Sequence, residues 1–127
     1  MKKQPKFLMM VGIFAVVCLG LFFLELQTHF LRRAFDNIVM DNENHYLPCG
    51  KLPADANVRM IVQEHPETLQ AIEQVDPGLI GIEIDSSTCP GKADLLIWYP
   101  SHQDRIAIKT IIGGDTFFGV PYRLQNR

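Results

Sequence analysis

Residues 79–85 read Leu79-Ile80-Gly81-Ile82-Glu83-Ile84-Asp85, and their alternation decides the fold. Ile80, Ile82 and Ile84 fall on one side of an extended chain, with Gly81, Glu83 and Asp85 on the other. A period of two marks a strand with one buried face. Residues 86–92 make the connection to a second strand at 93–99, Ala-Asp-Leu-Leu-Ile-Trp-Tyr, which Pro100 closes.

Downstream, Ser101 and Asp104 have the spacing of a capping box, in which a hydroxyl satisfies an unpaired amide of the first helical turn. Ala107, Ile108, Ile111 and Ile112 then form a buried helical stripe, and Gly113-Gly114 ends it. Residues 117–124 are expected to form a third strand, with Pro121 placing it at a sheet edge where a missing N–H is tolerated. Upstream, Val58, Ile61, Val62, His65, Leu69, Ile72 and Val75 share one helical face. Pro66 interrupts that face, which implies two short helices or one kinked helix, ending at Asp76-Pro77-Gly78. The expected order is α-α-β-β-α-β. This is an α+β domain over residues 44–127, a three-stranded sheet covered on one face by helices, with the last strand beside the first.

Before the domain, residues 7–24 form an unbroken run of eighteen uncharged, mostly apolar residues. At ~1.5 Å per residue such a helix approaches the ~30 Å hydrocarbon core of a bilayer. A cleaved signal peptide is the rival reading, since Lys2, Lys3 and Lys6 precede the run. That reading requires a shorter apolar region ending in a small-x-small site. Here the run ends in Phe22-Phe23-Leu24-Glu25, and Cys18 follows Val17 rather than the small residue lipoprotein processing needs. The organisation expected is therefore a cytoplasmic N-terminus at 1–6, a transmembrane helix at 7–26, a membrane-proximal amphipathic helix at 27–43, and the domain. Leu24, Leu31, Phe35 and Ile38 mark the apolar face of the extension, which is expected to continue the transmembrane helix to about Met40.

The net charge of −2 hides an asymmetry. From Asp41 onward seven Lys or Arg face twelve Asp or Glu, a net of −5. Nucleic acid requires a basic footprint, so it is excluded as a partner. Pro48-Cys49-Gly50 and Cys89-Pro90-Gly91 place two cysteines in turn-like sequence. A bridge between them would close a loop of about forty residues, worth roughly 3–4 kcal/mol, and would persist only in an oxidising compartment. With the basic N-terminus, this points to a domain on the periplasmic or extracellular side. Two free thiols in a cytosolic domain are the alternative.

Candidate chemistry is sparse. His45, Cys49 and Cys89, with His65 or His102, supply metal-ligand types without the close spacing of a zinc site. Ser101, His102 and Asp104 carry the letters of a hydrolase triad in one stretch, whereas a triad converges from separate segments, and Ser101 has a capping role. Glu83, Asp85 and Asp94 read as a solvated sheet face, and no glycine-rich loop opens a helix to cradle phosphate. No catalytic residue, metal or cofactor is expected. Phe117, Phe118, Tyr122 and Arg123 lie together on the expected edge strand, near Trp98 and Tyr99, and are residue types that partner surfaces use. The sequence thus implies a membrane-anchored accessory or adaptor domain that binds another protein, its identity unspecified. A metal- or small-ligand-binding domain is the alternative, and an enzyme the third.

Overall fold

A computed structural model describes residues 4–127, which divide into two compact units at Phe35 and Asp36. In the first, α1 runs from Gln4 to Thr28. Its segment Pro5–Thr28 has a mean hydropathy of 2.8, and none of that apolar stretch is buried within the chain. By length and composition α1 is able to cross a membrane.

The helix does not continue to Met40 as expected. His29 takes φ of 51°, and a second helix, α2 (Phe30–Ile38), begins after it. The break has a local cause. Glu25 accepts the amides of Leu31 at 2.6 Å and Arg32 at 3.0 Å, so its carboxylate caps the new N-terminus.

The second unit is α+β. α3 (Asp55–Glu64) and α4 (Pro66–Glu73) are separate helices, since Pro66 starts the second where its missing N–H is harmless. They precede a hairpin of β1 (Gly81–Asp85) and β2 (Asp94–Tyr99), with Ile82 opposite Ile97 and Ile84 opposite Leu95. α5 (His102–Ile112) starts at Ser101, whose hydroxyl accepts the Asp104 amide at 3.2 Å, and ends on Gly113 at φ of 73°. β3 (Thr116–Phe117) and β4 (Val120–Asn126) complete the sheet.

Two expectations about the sheet are corrected. It has four strands, in the order β1-β2-β4-β3, rather than three. Residues 117–124 are not one strand, because the chain reverses at Phe118 and Gly119, both with positive φ (49° and 89°). Two such residues give the twist of a type I′ hairpin turn. The last strand also lies beside the second, not the first: β4 runs parallel to β2, Leu95 opposite Tyr122 and Ile97 opposite Leu124, with α5 as the crossover. The physical reason is in β2 itself. Leu95, Leu96 and Ile97 are consecutive apolar residues and all buried, and a strand apolar on both faces belongs at the sheet centre. β1, apolar on one face only, stays at the edge.

Pro121 therefore does not mark an open edge. Thr116 pairs with it from β3, and farther along Glu43 and Leu124 exchange two backbone hydrogen bonds of 2.8 Å. The core joins Val58, Ile72 and Ile108 from the helices to Leu95, Ile97, Tyr99, Tyr122 and Leu124 from one sheet face, with Phe117 and Val120 at its end. Each buried side chain of this size contributes ~1.5–3 kcal/mol. Cys49 and Cys89 form a disulfide, Cα atoms 5.4 Å apart, pinning the irregular segment before α3 to the β1–β2 connection. The same seam carries backbone bonds from Asp55 to Gly91 and from Ala93 to Pro53, both 3.1 Å.

Candidate functional site

Residues 41–46 form a strap along β4, held by charge. Arg105, buried on α5, donates to Asp41 at 2.8 Å, to Glu43 at 2.9 Å and to Asn37. Lys109 joins Glu43 at 2.6 Å, and the Tyr99 hydroxyl donates to the Asp41 carbonyl. Burial raises the Asp41 carboxyl pKa, but His102, Arg105 and Asn126 outweigh it and hold the group below its ordinary range. At Glu43 burial is likewise outweighed, there by Lys109 and Arg105. Burial pushes the Tyr122 phenol up to about 12. The triad letters do not converge: Ser101 donates to Asp104, while Nδ1 of His102 lies 2.6 Å from Asp41.

On the sheet face away from the helices, Asp85 and Asp94 are cross-strand neighbours and Arg123 sits between them. Its Nε donates to Asp94 at 2.6 Å, and it pairs with Asp85 as well. The two aspartates are thus neutralised rather than solvated, and Glu83 alone of the three stays exposed. Hydrogen bonds from the Ser87 hydroxyl and amide, then Arg123, lower the Asp85 pKa to about 2. His45 completes this cluster. Its Nδ1 accepts the Leu47 amide at 2.9 Å, which leaves Nε2 to donate to Asp94 at 2.7 Å. With Cys49 and Cys89 joined in a disulfide, both sulfurs of the His45, Cys49 and Cys89 ligand set are already bonded.

The four residues expected at a partner surface separate. Phe117 (1 % exposed) and Tyr122 (4 %) belong to the core, the Tyr122 hydroxyl donating to the Gly114 carbonyl at 2.8 Å. Arg123 is half-buried in its ion pairs. Phe118 is 53 % exposed at the tip of the β3–β4 turn, its ring stacked on His65 at 3.5 Å between centroids.

Sequence reasoning missed a cleft of about 350 Å³ beside β1. Val62 from α3, Leu69 from α4, and Ile82 and Ile84 from β1 form its apolar lining, with Arg59, Glu73 and Glu83 at the margin. The signal was the strict alternation of residues 79–85. A strand buried on one face only, next to a strand buried on both, is the edge of the sheet. No known protein family, curated protein or solved structure matches the chain.

Proposed function

We propose that the chain is a single-pass membrane adaptor. α1 spans the bilayer with the N-terminus in the cytoplasm, and the α+β domain binds another protein on the periplasmic or extracellular side, as a subunit or assembly factor of a membrane complex. The observation that carries the reading is the apolar surface of α1. Phe7, Leu8, Met9, Met10 and Phe14 are each more than two-thirds exposed, a surface that water disfavours and lipid accepts. The Cys49–Cys89 disulfide favours the oxidising side. Ser101 is engaged in a helix cap and His45 in a hydrogen bond to Asp94, which favours binding over catalysis.

Alkaline carbonate extraction of membranes followed by protease protection tests this reading. The intact chain should stay in the pellet, and the domain should be digested only from the extracytoplasmic side. Release of a shorter soluble form, or digestion from the cytoplasmic side, would overturn it.

A further inference from the structure

We propose that the cleft beside the outer edge of β1 docks an extended segment of a partner protein that carries alternating apolar and basic side chains. The inference rests on the adaptor reading and gives its partner a chemistry.

Three observations converge on the cleft. First, β1 pairs with β2 alone, and among the described residues the main chain of its outer side has no backbone partner. Five residues at ~3.3 Å each offer about 16 Å of unpaired edge, enough to add a short strand by main-chain hydrogen bonding. Second, the floor next to that edge is apolar. Val62, Leu69, Ile82 and Ile84 pack against the core yet remain partly exposed, so alternate side chains of an added strand would find a surface to cover. Third, the margin is acidic. Arg59 is held by Asp55 at 2.8 Å, whereas Glu73 and Glu83 are exposed and form no ion pair among the described residues.

Charge also selects the occupant. A second copy pairing antiparallel through β1, centred on Glu83, would set that carboxylate against its own copy, and like charges directly opposite are destabilising. The acidic domain repels acidic segments in the same way. A basic, alternating strand satisfies the edge, the floor and the margin together.

The test uses the full chain in zwitterionic nanodiscs and a capped octapeptide of alternating valine and lysine as probe. Hydrogen–deuterium exchange should show saturable protection of the β1 amides. The double variant E73K/E83K changes two exposed side chains and should keep the melting temperature while weakening the peptide at least tenfold. An octapeptide of valine and glutamate, and a valine–lysine peptide N-methylated at alternate residues, should both fail to protect. Equal protection by the acidic or methylated peptide, no effect of E73K/E83K, or protection elsewhere than β1 would each overturn the cleft. Capture of a native partner in mild detergent separates this from the adaptor reading. A partner retained by E73K/E83K leaves the adaptor and removes the cleft, whereas capture of nothing by the unaltered chain removes the adaptor.

Discussion

Arg105 on α5 donates to the carboxylate of Asp41 at 2.8 Å, across sixty-four positions of sequence. The same guanidinium takes Glu43 and Asn37, so one buried cation fastens the strap and the end of α2 to the crossover helix. A buried cation with several acceptors is stable only as a set, because removing one member strands the others.

Arg105→Met should therefore cost about 3 kcal/mol, near the low end for breaking a buried ion pair, since Lys109 still neutralises Glu43 and both carboxylates keep some water. Urea unfolding followed by the fluorescence of Trp98 measures it. Arg105→Lys should recover only part of the loss, as a compact ammonium lacks the two separated nitrogens with which the guanidinium reaches Asp41 and Glu43. Indistinguishable curves for Met and wild type would mean that the strap is held by its Glu43–Leu124 backbone pairing.

The double variant Cys49→Ser, Cys89→Ser should lower unfolding free energy by about 2–5 kcal/mol. The bridge closes a separation of 40 residues, and the unfolded chain gains the freedom that the bond removed. Non-reducing peptide mapping should link Cys49 to Cys89 and leave Cys18 free. A reduced protein as stable as the oxidised one would show that the Asp55–Gly91 and Ala93–Pro53 hydrogen bonds suffice for the seam.

Periodicity made α3, α4, α5, the β1–β2 hairpin and the cap at Ser101 legible, because each follows from spacing within a few residues, whereas the break at His29 between α1 and α2 was not legible. The turn at Phe118 was not legible. Its φ of 49° is one that phenylalanine rarely adopts, and only packing imposes it. Sheet order was half-legible: the uniform apolar run Leu95-Leu96-Ile97 marks a central strand, yet the Pro121 signal pointed to an edge that β3 and the strap cover. The cysteine pairing was readable from turn chemistry. Phe117, Phe118, Tyr122 and Arg123 share a segment, but alternation plus one turn sends two to the core, one to an ion pair and one to the surface. Arg105, the centre of the polar network, shows no local pattern at all, since its partners lie on the other side of the domain sequence.

Stability should fall as pH drops from about 4 towards 2. The Asp85 carboxyl has its pKa depressed from 3.8 to about 2, by the Ser87 hydrogen bonds first and Arg123 after them. Asp94, Asp41 and Glu43 are also lowered on balance, despite burial. A depressed carboxyl contributes its full stabilisation above the unfolded-state value and loses it as pH falls through the folded one. Melting temperature between pH 5 and 2 reads this, and Asp85→Asn should flatten the acid limb. A limb unchanged by Asp85→Asn would assign the acid sensitivity to the strap carboxylates instead.

Gly81→Ala should disturb the open sheet face. Gly81 lies opposite Trp98, and a Cβ there would stand 1.9 Å from the indole nitrogen. The ring must swing away and give up the Arg127 guanidinium, now 4.6 Å from its centroid. Overpacking of this kind costs about 1–3 kcal/mol. A red shift of Trp98 emission with lowered stability is the expected result, and an unchanged spectrum would mean that the indole does not cover Gly81 in solution.

Phe118→Asn distinguishes a structural aromatic from a contact residue. Phenylalanine in a left-handed conformation costs roughly 1–2 kcal/mol, and asparagine is favoured at this turn position. Against that relief stands the loss of the ring stacked on His65, worth about 0.5–1.5 kcal/mol. The two nearly cancel, so the melting temperature should move by only a few degrees. Stability alone therefore gives little reason for phenylalanine at this exposed tip, and the adaptor reading supplies one. If Phe118 touches the partner, Phe118→Asn should abolish co-purification in mild detergent while the fold survives. A partner retained at the wild-type level would move the contact off the hairpin tip, leaving the β1 cleft and the exposed Leu31, Phe35 and Ile38 of α2 as the surfaces to alter next.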